Sequence, residues 1–309
     1  MVECSNSPKI SVVMCTYNTE EFLVEAIESI LAQTFQDFEF IIWDDGSTDN
    51  TKAIVEKYKD ARIRYFYHVN TGLGMALRLA CAEAKGEYIA RMDSDDISLP
   101  ERFATEVAFL DNHPEYVLVS SAVYDIDENG KLLGRVFPCS DDRVLKGVLS
   151  YPASMISHPM VMMRRDAYER AGGYIPIRKS QDMLFWSRIA KQGKFYNIPT
   201  PLGKYRILSN SLGHACNPYA PIFWVFLRKM INDEIVLDSD VDTFNSLYQY
   251  SKQYIERRDN NKVEWKKTWE EKVFSIACPL LGNRFAQDSI VGIKNLCYLV
   301  KLHLFKIFN

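Results

Sequence analysis

The sequence predicts an α/β fold in which a mainly parallel β-sheet is flanked by helices. Between residues 9 and 125, short continuous apolar runs alternate with stretches whose apolar residues recur at helical spacing. Strands and helices that alternate in this way form right-handed βαβ units with parallel strands. The 309 residues, with 47% hydrophobic and 25% charged side chains, are typical of a well-packed globular protein and exclude disordered, collagen-like and coiled-coil classes.

Each predicted strand of this part is an apolar run that ends in turn-forming or acidic residues, as buried parallel strands do. The predicted helices begin at capping signals, for example Asn18 with Glu21 three residues later, or Ser47. In chain order, the elements are strand 10–14, helix 22–31, strand 38–43, helix 47–58, strand 63–69, helix 70–84, strand 87–92, a helix from residue 98 and strand 116–124.

After residue 125 the pattern becomes mixed. Asn129 and Gly130 predict a hairpin turn, and Gly172 with Gly173 predicts the end of a helix. The elements are helix 141–149, extended segment 160–163, a helix from residue 165, helix 180–191, extended segments 195–198 and 202–206, and a helical pattern from residue 218. We place one domain at 1–215, with halves 9–125 and 126–215, and a helical C-terminal extension at 216–309.

The charges and cysteines exclude several classes of protein. The formal net charge is −3, so no nucleic-acid partner is expected. The seven cysteines are odd in number and never form a C-x-x-C pair, which argues against a disulfide or zinc framework and for a reducing compartment. The N-terminus lacks the apolar core of a secretory signal, and no apolar stretch reaches about 18 residues. We therefore expect a cytoplasmic protein.

Acidic residues follow two of the predicted parallel strands. Asp44 and Asp45 end one strand, and Asp93, Asp95 and Asp96 end another. Ligands of parallel sheets bind at the carboxyl ends of the strands. A hard divalent cation, Mg²⁺ or Mn²⁺, would neutralise these carboxylates and bridge them to a diphosphate. The alternative is that they are ordinary turn formers and helix caps.

Four segments together form a recognisable pattern: 10–18 (ISVVMCTYN), 33–42 (QTFQDFEFII), 44–51 (DDGSTDNT) and 84–96 (AKGEYIARMDSDD). They closely resemble the family 2 glycosyltransferases of the GT-A fold. The resemblance is strong over residues 9–125 and continues in part to about 210. It implies a Rossmann-like mixed, mainly parallel sheet, and a metal-dependent, inverting transfer of a sugar from a nucleotide sugar, usually a UDP-sugar, to an acceptor.

The resemblance also implies which residues hold the nucleotide sugar and the cation. Tyr17 would stack on the base, Asp45 would accept a hydrogen bond from its ring N–H, and Arg78 would help to hold the donor. Cys15 would contact the base through its backbone. The donor-site set is Cys15, Tyr17, Asp45, Arg78, Asp93, Ser94 and Asp95, and the metal ligands are Asp95 and Asp96.

An inverting transfer needs a carboxylate that removes the proton of the attacking hydroxyl. The family resembled here supplies it from a Glu-Asp pair at the start of a helix, and segment 180–188 places Asp182 in the base position with Gln181 in place of Glu. His158, Gln181 and Arg206 are expected on the acceptor side, Arg206 also near the diphosphate. The alternatives are an acid favoured by the helix dipole for Asp182, a structural histidine, and a surface salt bridge for Arg206.

The final residues, 289–309, contain three lysines and no acid among large apolar side chains. Three roles are open for them: contact with an anionic membrane surface, packing as a terminal helix, or a homodimer contact. Membrane contact would suit a lipid-linked saccharide acceptor and a peripheral position on the inner face of the cell membrane.

We expect a glycosyltransferase that acts in cell-surface polysaccharide or glycolipid synthesis. Two alternatives remain at this point. A nucleotidyltransferase would need a basic phosphate-binding loop after the first strand, and residues 15–21 contain no Lys or Arg. A non-catalytic nucleotide-sugar-binding protein of the same fold is supported only by Gln181.

Overall fold

The computed structural model describes residues 7–136, 138–147 and 155–208, together with 227, 230, 231, 238–242 and 244–246. All of these belong to one compact unit, Met1–Lys252. The described residues beyond 208 are helical. The domain boundary predicted near residue 215 and the segment 289–309 lie outside the described residues, so both stay predictions.

The described elements alternate as predicted in the first part of the chain, except that Ile97–Ser98 form a short strand and the helix predicted from residue 98 begins at Arg102. The strands are β1 (Ile10–Thr16), β2 (Phe38–Asp44), β3 (Ile63–Tyr67), β4 (Tyr88–Asp93), β5 (Ile97–Ser98), β6 (Tyr116–Ile126), β7 (Leu132–Val136), β8 (Met162–Arg164) and β9 (Lys194–Arg206). The helices are α1 (Glu20–Leu31), α2 (Thr51–Val55), α3 (Leu73–Ala82), α4 (Arg102–Asn112), α5 (Asp142–Gly147), α6 (Arg165–Arg170) and α7 (Gln181–Ile189), with a 3₁₀ turn at His158–Met160.

The strands form one mixed sheet in the order β3-β2-β1-β4-β8-β6-β9-β5, with β7 paired to β6. Strands β3, β2, β1 and β4 are parallel neighbours, as are β6 and β9. Antiparallel β8 lies between β4 and β6 and joins the two parts. The predicted α/β class is therefore confirmed. The strand order reverses at β1, which lies between β2 and β4.

Both faces of the sheet are covered by apolar side chains. Every residue of β1 and β2 is buried, which is why these strands are nearly continuous apolar runs. Alternate residues point to opposite faces. Val13 packs in the cluster that contains α3 and α7, whereas Val12 packs in the cluster that contains α1 and α4. Among the described helices, none is long and apolar enough to cross a membrane.

The predicted starts of the first two helices are wrong, for one physical reason. Helix α1 begins at Glu20 after Thr19, while Asn18 lies outside it with φ +52°. The Asn18 Oδ1 accepts a hydrogen bond from Thr48 N (2.8 Å), and Ser47 Oγ accepts one from Asn18 N (2.9 Å). The predicted capping residues therefore bind each other's loops, and α2 begins later, at Thr51.

The extended segments predicted at 195–198 and 202–206 form one strand, β9. Pro199 and Pro201 interrupt the apolar pattern between them and lack the N–H that a sheet ladder uses. The pairing of β9 with β6 shifts register there, beside Ala122. The hairpin predicted at Asn129 and Gly130 is confirmed by the antiparallel pairing of β6 and β7.

A buried ion pair lies beneath the carboxyl end of β4. Arg102 and Glu106, one turn apart on α4, are fully buried and 3.2 Å apart. Arg102 Nη2 also donates to the carbonyls of Arg91 (2.8 Å) and Val161 (3.3 Å). The guanidinium therefore joins α4 to β4 and to the segment that follows the 3₁₀ turn. Burial raises the pKa of Glu106 to about 7.

Replacing one partner of the Arg102–Glu106 pair should destabilise the fold. We expect Arg102→Met to lower the free energy of unfolding by about 3–5 kcal/mol at pH 8, because Glu106 loses its partner and must either stay charged while buried or take up a proton on folding. The loss should shrink at pH 5, where Glu106 is protonated. Urea unfolding followed by tryptophan fluorescence measures it. The double variant Arg102→Met/Glu106→Leu should recover most of the stability, and an equal loss in both variants would contradict the charge argument.

Candidate active site

The two acidic clusters meet at the carboxyl edge of the sheet, where the strand order reverses. In the register of the strands, Cys15 of β1 lies opposite Asp93 of β4, and Thr16 lies opposite Asp44 of β2. The ends of β2 and β4 therefore flank the end of β1. This crevice is where ligands of open α/β sheets bind.

Asp93, Asp95 and Asp96 bring carboxylate oxygens within 4.8 Å of one another. Burial and the charge of Asp93 raise the pKa of Asp95 to about 6, and burial with both neighbouring charges raises the pKa of Asp96 well above its usual value. One buried oxygen, Asp96 Oδ2, has no hydrogen-bond partner among the described residues. Hard carboxylate oxygens, a shortage of positive charge and an unsatisfied buried acceptor together suit Mg²⁺ or Mn²⁺.

Two arginines hold the acidic loop, which we define as residues 93–96 at the end of β4, in place. Arg91, buried in β4, pairs through both terminal nitrogens with both oxygens of Asp93. Arg206, at the end of β9, donates through Nε to the Asp95 carbonyl (2.8 Å), while its backbone N–H donates to Asp96 Oδ1 (2.7 Å). The bidentate, charge-assisted contact of Arg91 fixes the orientation of the Asp93 carboxylate and compensates its charge.

The remaining donors of Arg206 are also used within the protein. Nη1 contacts the carbonyls of Asp127 and Glu128 in the β6–β7 hairpin, and Nη2 pairs with Glu25 of α1 at 2.6 Å. Arg206 thus joins α1, the acidic loop and the hairpin. It lies beside the acidic cluster, and its predicted contact with the acceptor or diphosphate remains a prediction.

The predicted base-binding residues lie at the ends of β1 and β2. Tyr17 is half exposed, as an available stacking surface must be, whereas Cys15 is buried, and burial raises the pKa of its thiol. Asp45 accepts hydrogen bonds from Thr71 N (2.9 Å) and Gly72 N (2.8 Å). The Asp45 carboxylate thereby fixes the start of α3.

Ser94 and Arg78 occupy different positions. Ser94 is buried in the acidic loop and accepts a hydrogen bond from Thr19 Oγ1 at 3.0 Å. Arg78 projects from the exposed face of α3, and its Nη1 donates to the carbonyls of Gly172 (3.2 Å) and Tyr174 (2.9 Å). This contact holds the turn that precedes α7 against α3.

Asp182 lies in the first turn of α7, after Ser180, whose φ of +59° turns the chain into the helix. Burial raises the pKa of Asp182, and the charge of Arg91 opposes this while that of Asp93 adds to it. Asp182 is therefore electrostatically part of the acidic edge, although the two are distant in sequence. Its neighbour Gln181 is buried.

His158 lies against the same group of residues. Its Nε2 is 2.8 Å from the Tyr174 hydroxyl, and its ring packs edge-on against Trp186, one turn after Asp182 on α7. Burial, reinforced by the charge of Arg91, lowers the pKa of His158 well below its usual value, so the ring is neutral at pH 7. A neutral His158 can orient a hydroxyl group but carries no charge toward a ligand.

Sequence reasoning missed three residues that shape the site. Arg91 is a charged residue inside an otherwise apolar strand, and that contrast was an available signal. Tyr174 follows a glycine pair and carries no local signal for its contact with His158. Asn245 contacts the loop before α7 through its amide, a pairing that no local pattern indicates.

The fold and the acidic edge define an α/β enzyme of the GT-A type. The chain belongs to glycosyl transferase family 2, whose family model matches residues 11–172, more than half of the sequence. It is thus a glycosyltransferase, which removes the nucleotidyltransferase alternative. EpsE of Bacillus subtilis is 35% identical over 210 residues, or 65% of this chain and 74% of EpsE. AmsE of Erwinia amylovora, an amylovoran biosynthesis glycosyltransferase, is 32% identical over 202 residues, 63% of this chain and 75% of AmsE.

Solved structures share the fold at lower sequence identity. S. aureus TarS in complex with UDP-GlcNAc has a TM-score of 0.63 at 18% identity, over 87% of this chain and 79% of that chain. The mannosyltransferase PcManGT from Pyrobaculum calidifontis, in complex with GDP-Man and Mn²⁺, has a TM-score of 0.55 at 18% identity, over 92% of this chain and 83% of that chain.

The acidic cluster should make stability depend on pH. The Asp95 pKa is raised in the folded state, so its protonation stabilises the fold below about pH 4, and this stabilisation is lost as the pH rises through about 6. We expect Asp95→Asn to raise the thermal midpoint by about 5 °C at pH 7.5, with EDTA present, and little at pH 4.5. Differential scanning fluorimetry measures both.

The matched control for this comparison is Asp37→Asn, which changes an exposed acid before β2. Its thermal midpoint should follow that of the unmodified protein at both pH values. A difference in midpoint between Asp95→Asn and the unmodified protein that is the same at both pH values would show that Asp95 carries no repulsion.

Proposed function

We propose that this glycosyltransferase is a metal-dependent, inverting enzyme that transfers a sugar from a nucleotide sugar to an acceptor hydroxyl. The observation that carries the proposal is the cluster of Asp93, Asp95 and Asp96 beside the end of β1, with Asp182 within electrostatic reach. The cluster of three carboxylates suits a cation, which in turn would bind the diphosphate of the donor, and the carboxylate of Asp182 can act as the base. The two together are what an inverting transfer requires.

Asp95 and Asp96 are the residues that would hold Mn²⁺ or Mg²⁺. The cation would stabilise the charge that develops on the departing nucleoside diphosphate. Arg91 keeps Asp93 in a fixed orientation through its two-point contact, and Arg206 fixes the backbone of Asp95 and one oxygen of Asp96. The chain thereby presents the oxygens at fixed positions before any ligand arrives.

Asp182 is the proposed general base. A carboxylate in the first turn of a helix is stabilised by the backbone N–H groups, and the positive charge of Arg91 also favours its ionised form. Burial counteracts both effects and gives the carboxylate a higher proton affinity than a solvated aspartate has. An ionised Asp182 at neutral pH can accept the proton of the acceptor hydroxyl as its oxygen attacks the anomeric carbon.

The donor is proposed to be a UDP-sugar, held by Tyr17, Cys15 and Asp45 at the base and by Asp93 and Ser94 nearer the diphosphate. The complexes of TarS with UDP-GlcNAc and of PcManGT with GDP-Man support a nucleotide-sugar donor on this fold, with either uracil or guanine as its nucleobase. The likeness to AmsE supports a role in polysaccharide synthesis. A lipid-linked saccharide acceptor, a peripheral membrane contact through 289–309 and a cytoplasmic location extend the same proposal.

Removal of the cation or its ligands should abolish donor use. With Mn²⁺ present, we expect the protein to bind UDP or GDP and to release one of them from a panel of nucleotide sugars. EDTA should stop this release, and Asp96→Asn should weaken Mn²⁺ binding at least tenfold, because a buried ligand oxygen is replaced. Isothermal titration and nucleotide release measure these quantities. Failure to bind either nucleotide with any divalent cation would refute the proposal.

Replacing the proposed base should affect turnover and leave binding intact. We expect Asp182→Asn to lower kcat by about 10²–10⁴-fold with little change in the donor dissociation constant. The control is Asp166→Asn, since Asp166 is also an acid in a first helical turn, that of α6. In the unmodified enzyme, the acidic limb of the pH profile should lie above the usual Asp range. Transfer that survives in Asp182→Asn would place the base elsewhere.

A further inference from the structure

The guanidinium of Arg178 is a positive charge at the edge of the site with no partner among the residues that the structure describes. Arg178 lies in the loop between α6 and α7, and within the described part of the chain only its backbone N–H has a hydrogen-bond partner, Asn245 Oδ1 at 2.9 Å. The neighbouring arginines differ. The guanidinium of Arg91 pairs with Asp93, and that of Arg206 pairs with Glu25.

Arg178 covers the start of α3, where the predicted base-binding residue is anchored. A side chain built on Gly72 would place its Cβ 3.5 Å from Arg178 Nη1, so the guanidinium lies against the Gly72 backbone. The N–H of Gly72 donates to Asp45 Oδ2 at 2.8 Å. Arg178 also precedes the proposed base, Asp182, by four residues. It therefore links the proposed nucleoside side of the site to the proposed transfer side.

In a nucleotide sugar, the diphosphate connects the nucleoside to the transferred sugar. We propose that Arg178 binds the diphosphate of the donor. This inference rests on the proposed function and adds a residue outside the acidic cluster to the donor site. A guanidinium presents planar N–H donors that bind two phosphate oxygens at once, which an ammonium group does less well.

The loop that carries Arg178 is fixed on two sides. Asn245 Nδ2 donates to the Pro176 carbonyl at 3.0 Å, so one amide holds two backbone groups of the loop. On the other side, the backbone of Gly74 packs against the carbonyls of Ile175 and Ile177, where a Cβ would collide. Fixing the backbone in advance lowers the entropy that ligand binding would otherwise cost.

The charges of the site also favour a cation at this position. A diphosphate would bring further negative charge to an edge that already holds Asp93, Asp95 and Asp96. Lys179, the residue after Arg178, has no acidic partner among the described residues, and burial lowers its pKa. Half-buried cations without partners are costly, and a bound phosphate would offset that cost.

The test compares ligands that share the nucleoside and differ in the diphosphate. In the presence of Mn²⁺, isothermal titration of the full chain with UDP, GDP, inorganic pyrophosphate, uridine and guanosine gives the affinities. We expect Arg178→Gln to weaken binding of pyrophosphate and of the preferred nucleoside diphosphate by about tenfold to hundredfold. Binding of the matching nucleoside should be unchanged. Arg178→Lys should lose less, and Asn245→Ala should also weaken binding, because the loop is no longer fixed.

The control is Arg170→Gln, since Arg170 is an exposed arginine of α6 paired with Asp166. Its affinities should equal those of the unmodified protein. Unchanged diphosphate binding in Arg178→Gln would overturn the inference and leave the proposed function standing. An equal loss for nucleoside and diphosphate would also overturn it, because Arg178 would then shape the base pocket.

Two further outcomes separate the inference from its premises. If the unmodified protein binds neither UDP nor GDP, the proposed function fails and the inference fails with it. Titration with farnesyl diphosphate tests a lipid-linked source of the same group. Weaker binding of farnesyl diphosphate by Arg178→Gln, with UDP and GDP unaffected, would overturn the donor assignment.

Discussion

Like charges on Asp93, Asp95 and Asp96 lie within 4.8 Å of one another, and the surrounding structure holds them there. Without compensation, such a group would repel itself or take up protons. Arg91 compensates the charge of Asp93 by contacting both of its oxygens, and Arg206 holds the acidic loop through a hydrogen bond to Asp96. The chain leaves one buried oxygen of Asp96 unsatisfied, so compensation from the described residues is incomplete. A site of this kind is suited to a ligand that brings positive charge.

The loops around the site contact one another through hydrogen bonds and close packing. Asn18 bonds to the loop after β2, and Asp45 of that loop bonds to the start of α3. The start of α3 in turn packs against the loop before α7, through Gly74 and the carbonyls of Ile175 and Ile177. A displacement of one of these loops would therefore change the contacts of the loops beside it. The glycosyltransferase fold supplies rigid strands, and the chemistry lies in the loops at their ends.

Much of the fold and part of the site could be predicted from local pattern. Buried strands appear as apolar runs, and acids at their ends must meet at one edge because parallel strands share a direction. The motif around Asp93 could be recognised without a structure. The capping roles predicted for Asn18 and Ser47 failed because these side chains found partners in another loop, and local propensity is blind to such partners.

The sequence by itself determined the fold class, the order of strands and helices up to β6 except for the short strand β5, the family and the acidic residues of the edge. Only the tertiary structure decided which charges are paired. Arg91 is paired by its strand neighbour Asp93, Arg206 by residues from three separate segments, and the Arg178 guanidinium by none that is described. The reason is physical: hydrogen-bonding partners are set by distance in space, and the contact between Arg206 and Glu25 joins residues 181 positions apart. Spacing along the chain carries no record of such a contact.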